Sequence, residues 1–162
     1  MKQRGFSLLE LMVTLAIISI LALFGSSIVF GGIDCKNQKM GWITRAKVSA
    51  AIGDIGSAHL KLKMWELSHD DLPDSTELFE LLGNDRFDNP YKFLDHSTVS
   101  GEGPKRKYKS LVPVNSRYDL YSMGPDGKTF TPMTSTPGQD DIILANDGGY
   151  IGVACFYGDY DK

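Results

Sequence analysis

Few side chains in this sequence have the types and spacing that chemistry requires. Asp126, Asp140 and Asp141 lie between a Gly124-Pro125-Asp126-Gly127 turn and an Asn146-Asp147-Gly148-Gly149 turn. Clustered Asp oxygens suit a hard cation such as Ca²⁺, which takes 6–8 oxygens at about 2.3–2.6 Å. The spacing is not that of an EF-hand, and Asp-Gly pairs also make plain turns. Cys35 and Cys155 allow one disulfide in an oxidising compartment. Against it stands their distance along the chain, with Cys35 directly after an apolar run. His59, His69 and His96 have no metal-ligand spacing to one another, and there is no Cys-x-x-Cys. No Ser/His/Asp, Cys/His or paired-carboxylate spacing stands out, so no enzyme is expected. The cluster Lys105-Arg106-Lys107-Lys109 reads as a solvated loop. With a net charge of −3 and no aromatic platform beyond Tyr108, nucleic acid is not an expected partner.

One further carboxylate is conspicuous by its place. Residues 11–33 form a run of 23 without a charge, and Glu10 stands just before it. As a helix the run rises about 34 Å, enough to cross a hydrocarbon core of about 30 Å. It is too long for a secretory signal and ends in no small-residue cleavage site. Nineteen of the 20 acidic residues follow it, so neither a plain soluble domain nor a polytopic membrane protein fits. Glu10 either reaches water at the interface or awaits a cation; both readings stand on these residues alone. Lys36, Lys39, Arg45 and Lys47 follow the run, and by the positive-inside rule they favour a cytoplasmic downstream flank.

The stretch Lys2-Gln3-Arg4-Gly5-Phe6-Ser7-Leu8-Leu9-Glu10 resembles the leader and cleavage site of type IV pilins and type II secretion pseudopilins. The resemblance implies that a prepilin peptidase cuts after Gly5 and N-methylates Phe6, and that Glu10 is the assembly carboxylate of the family. It also sets the orientation: leader cytoplasmic, head periplasmic, opposite to the flank rule. Cleavage frees an amine on Phe6, cationic at neutral pH, for a neighbour's Glu10. Breaking such a pair typically costs about 3–5 kcal/mol, which would select one register between subunits.

Downstream, Ala51, Ile55, Ala58, Leu62 and Trp65 recur at helical spacing, an apolar stripe that reads as core contact. A single helix over about residues 6–68 is expected, its first half in lipid. Gly25, Gly31, Gly32 and Gly41 weaken that expectation, at about 1 kcal/mol each relative to Ala. Asp74 with Glu77 predicts a capping box for a short helix over 75–82, stopped by Gly83. Residues 85–91 form a turn-rich loop. Strands are expected over 110–114 (weak), 118–123 and 149–156, the last two pairing around the acidic loop. The class is α+β: a long N-terminal helix packed on a small antiparallel sheet.

The tail adds to the resemblance. Asp85, Asn89, Pro90 and Tyr91 match a pseudopilin loop pattern, while Arg86, Phe87 and Asp88 depart from it. Residues 118–127 and Gln139-Asp140-Asp141-Ile142 are similar to the calcium loop of the major pseudopilin. The resemblance implies Ca²⁺ held by Asp126, Asp140, Asp141 and the Met123 carbonyl, across a loop lengthened by residues 129–137. The implied division is a leader (1–5), a membrane and filament-core half-helix (6–33) and a pilin-like periplasmic head (34–162). The implied protein is a single-pass inner-membrane pseudopilin that polymerises into a periplasmic filament to drive protein export. Its implied partners are further copies, other pseudopilins, the prepilin peptidase, an inner-membrane assembly platform and, before assembly, membrane lipid. The alternative is a type IV pilin, major or minor, for adhesion, motility or DNA uptake.

Overall fold

The computed structural model describes residues 7–69 and 71–160. Helix α1 (Leu8–Phe30) starts at Ser7, whose hydroxyl accepts from the Glu10 N–H at 3.2 Å. The span is long and apolar enough to cross a membrane, and none of its hydrophobic window is buried; its end approaches α2.

The expected single helix does not form. It breaks after Phe30, and a short hairpin, β1 (Ile33–Asp34) with β2 (Lys39–Met40), intervenes before α2 (Trp42–Glu66). The break falls at three of the four glycines expected to weaken the helix. The Gly31 carbonyl accepts from the Gly41 N–H at 3.0 Å and the Thr44 hydroxyl at 2.8 Å instead of from the next helical turn. A Cβ on Gly41 would collide with the Gly31 backbone. Asp34 closes the hairpin by accepting from the N–H groups of Lys36 and Asn37.

The stripe on α2 does what its spacing predicts. Val48, Ala51, Ile55, Ala58 and Leu62 are buried against a four-stranded antiparallel sheet. The sheet runs β3 (Lys92–Asp95), β4 (Tyr118–Ser122), β5 (Ile142–Ala145), β6 (Tyr150–Val153), each paired with the next. Alternation along β5 divides the core: Ile142 and Leu144 face α2, while Ile143 and Ala145 join Val114, Met133 and Tyr157 on the other side. The capping box forms, with Asp74 accepting from Thr76 and Glu77 N–H groups, both at 2.8 Å, at the start of α3 (Ser75–Leu82).

Three strand expectations change. The segment 110–114 is not a strand; it folds on isolated bridges around a cis Val112-Pro113 bond. The strands β3 and β5 were absent from the sequence reading. Consequently β4 and β6 do not pair; β5 lies between them. A last helix, α4 (Tyr157–Tyr160), follows β6. Cys35 and Cys155 are joined in a disulfide with Cα atoms 5.7 Å apart. The hairpin folds back on the head, where Ile33 and Met40 pack on the core, and this brings together two residues 120 positions apart.

Candidate functional site

The acidic loop sits at the end of β4 and the start of β5. Gly124 and Gly127 take left-handed backbone, φ +65° and +64°. At Gly124 any Cβ would strike the Asp140 carbonyl, so the turn is held tightly against residue 140. The Asn89 side chain donates to the Gly124 carbonyl at 3.3 Å. Asp85 accepts from the N–H groups of Phe87 and Asn89 and from the Ser122 hydroxyl at 2.5 Å. Asp85 and Asn89, two of the residues that carried the resemblance, thus tie the 85–91 loop to the end of β4.

The turn brings residue 126 against the Asp140 carboxylate, through the backbone of Asp126. One Asp140 oxygen accepts from the Asp126 N–H at 3.3 Å, and the other is buried with no hydrogen-bond partner among the described residues. Burial first, and the Asp126 charge second, push the Asp140 carboxyl up to about 6. Asp126 turns back to accept from the Lys128 N–H at 2.7 Å.

Asp141 turns one oxygen to Arg106, and its other oxygen, like one of Asp140's, is buried with no hydrogen-bond partner among the described residues. Its side chain is fully buried, 2.7 Å from an Arg106 guanidinium nitrogen, and accepts from the Thr129 hydroxyl at 2.6 Å. Arg106 also donates to Thr129 and to the Phe130 carbonyl, at 2.7 and 2.9 Å, and lies 4.3 Å from the centre of the Tyr121 ring. Burial pushes the Asp141 carboxyl up to about 7 while Arg106 pulls against it. Arg106, expected on a solvated loop, is only 3% exposed. Nothing in a run of four basic residues marks which one goes inside.

The 129–137 insertion is likewise packed rather than loose. Thr129 and Phe130 hold Arg106, and Met133 is buried in the second core. Beside it, Asp119 accepts from the Arg106 N–H at 2.7 Å and the Asn115 amide at 3.2 Å, with His96 Nε2 3.1 Å away. Among the described residues no group of three or more His, Cys, Asp or Glu is arranged to hold a metal ion. Two carboxylates and neighbouring carbonyls are what the loop offers a cation.

The other expected site residues lie at the N-terminus. Gly5 and Phe6 fall outside the described residues. Glu10 is exposed in the first turn of α1, with no ion pair among the described residues.

The prokaryotic N-terminal methylation motif matches residues 1–26, and the family described as type II secretion system (T2SS), protein G, matches residues 38–140. The chain belongs to the type II secretion protein G family. A curated relative, the type II secretion system core protein G of Pseudomonas aeruginosa, is 31% identical over 135 residues, covering 78% of this chain and 87% of the relative. No solved structure matches. The chain is therefore a pseudopilin, a structural subunit, and its α+β head behind an apolar helix agrees with that membership. The protein G family match begins inside the hairpin, covers α2, α3, β3 and β4, and ends at Asp140, before β5.

Proposed function

We propose that this pseudopilin is cut after Gly5, N-methylated on Phe6, held by α1 in the inner membrane with its head periplasmic, and drawn by an assembly platform into a periplasmic filament that drives export. The supporting observation is α1 itself, an apolar helix whose hydrophobic window is wholly unburied, with one carboxylate near its start. Such a helix is covered by lipid before assembly and by other helices afterwards. Glu10 then pairs with the Phe6 amine of a neighbouring subunit, which fixes axial register. The head takes no catalytic part. Intact mass of the membrane-extracted protein tests the processing: a chain starting at methylated Phe6 is expected, and Gly5→Val should leave the leader attached. Retention of residues 1–5 in the wild type would overturn the reading.

Calcium is the second part of the proposal, with a smaller ligand set than the resemblance implied. Asp126, Asp140 and the Met123 carbonyl hold it, and Asp141 stays with Arg106. The partnerless Asp140 oxygen supports this; the partnerless Asp141 oxygen lies on a carboxylate already paired with Arg106. Binding to the folded head alone raises stability by about 2.7 kcal/mol at a hundredfold excess over Kd. The full chain in detergent should melt higher in Ca²⁺ than in chelator, and Asp140→Ala should remove the difference. Coincident melting curves would exclude the cation.

A further inference from the structure

The chain just beyond the membrane helix forms a built surface rather than a plain linker. The last turn of α1, the β1–β2 hairpin and the first turn of α2 enclose a groove of about 540 Å³, lined by Ile28, Met40, Trp42, Lys39, Arg45 and Asp34 among others. Trp42 is 71% exposed and Phe30 70%. The Asp34 carboxylate is occupied by the hairpin, accepting from the Lys36 and Asn37 N–H groups and the Asn37 amide. Lys39 and Arg45 make no ion pair among the described residues. The groove thus carries two cations against one carboxylate, Asp34, which feels the Lys39 charge, beside an exposed indole.

We propose that this groove seats the headgroup of an anionic phospholipid from the leaflet on the head's side of the membrane, with Lys39 and Arg45 on the phosphate and Trp42 at the level of the ester carbonyls. The inference rests on α1 spanning the bilayer. Continuity selects lipid as the occupant. Ile28 belongs both to the span and to the groove wall, and 23 residues rise about 34 Å against about 30 Å of hydrocarbon, which places the groove at the membrane boundary. Indole rings favour that boundary, and Lys and Arg next to a span bind anionic headgroups. The proposal also gives a reason for basic residues on a translocated flank, where the usual bias would not put them.

The contact bears on the head as a whole. The Cys35–Cys155 disulfide and a Gln38–Asp159 hydrogen bond pin the hairpin to the head. A lipid in the groove therefore fixes how the head stands over the membrane, and extraction into a filament must release it.

The test uses the full chain in vesicles, with Trp65→Phe leaving Trp42 as the sole indole. In phosphatidylglycerol-containing vesicles, lipids brominated near the carbonyl end of the acyl chain should quench Trp42 more strongly than lipids brominated near the terminal methyl. Replacing phosphatidylglycerol with phosphatidylcholine, or introducing Lys39→Gln with Arg45→Gln, should weaken the quenching several-fold while the chain stays inserted. Quenching that ignores lipid charge and the double substitution would overturn headgroup binding. So would a water-exposed Trp42 emission, or one that shifts with protein concentration as a second copy covers the ring. Release of the chain by an alkaline carbonate wash would instead refute the spanning helix, so the two failures are distinct.

Discussion

The molecule treats two acidic side chains, Asp141 and Glu10, in opposite ways. In the head, Asp141 is wholly buried and its cation comes from the same chain, Arg106 at 2.7 Å. On α1, Glu10 has no ion pair among the described residues, at the start of a helix whose hydrophobic window is unburied. A buried ion pair rarely adds net stability, but losing one partner is severe. The head completes the Arg106–Asp141 pair within one chain. The helix leaves its carboxylate exposed, where the proposed pairing with a neighbouring subunit can reach it.

The comparison breaks most sharply at Arg106. Arg106→Met leaves Asp141 and the Thr129 hydroxyl facing an apolar side chain, at an expected cost of about 3–5 kcal/mol. Denaturant unfolding of the detergent-solubilised chain should show it, and Asp141→Leu in the same background should recover part of the loss. Glu10→Val should do the reverse: unchanged head unfolding and unchanged leader cleavage, with filament yield sharply reduced. Wild-type filament yield from Glu10→Val would return Glu10 to a merely interfacial role.

How far each half was legible follows from the same physics. The span and the α2 stripe are periodic signals local in sequence, and both are found where expected. The capping box Asp74–Glu77 is local too, and forms. What stayed hidden depends on long-range placement. The strand β5 has four residues, buried on both faces, so it shows no alternation, and the flanking Asp140-Asp141 made it look like loop. Arg106 is one of four neighbouring cations, and only its position beside Asp141, 35 residues on, singles it out. The loop's shape turned on an insertion whose anchor, Met133, is a single apolar residue.

The disulfide sharpens the comparison at the boundary between the two regions. Cys35 lies in the hairpin that interrupts the long helix, and Cys155 just after β6, so the bond joins the membrane-proximal end to the sheet. Cross-linking across 120 positions removes much of the unfolded chain's freedom, and losing such a bond costs about 2–4 kcal/mol. Cys35→Ser should lower the melting temperature of the chain in detergent, and a reductant should do the same to the wild type but not to the variant. A reductant-insensitive wild type would mean that the hairpin is held by Ile33, Met40 and the Gln38–Asp159 contact alone.

The smallest effect expected is the dependence of the head on mild acid. Asp140 is raised to about 6 from an ordinary 3.8, by burial before the Asp126 charge. A carboxyl raised by folding binds its proton more tightly in the folded state. Stability therefore rises as pH falls through about 6, and the gain is complete near 3.8. His59 acts with the opposite sign, since burial lowers its imidazole below 6.5 and the unfolded chain takes the proton first. Comparing wild type with Asp140→Asn in chelator cancels His59, which both chains share, while Asp141 loses the upward push of the Asp140 charge in the variant. At pH 7 the Asn variant should be the more stable, by about 1 kcal/mol once the half-exposed carboxylate is discounted for solvent screening. The gap should close as the pH is lowered toward 4. Ca²⁺ at pH 7 should reverse the order, because a cation on the Asp126–Asp140 pair stabilises the carboxylate that the Asn variant lacks. A gap that stays constant with pH would mean that Asp140 is solvated despite its position against Gly124, and the loop would then owe its shape to the Arg106 clamp alone.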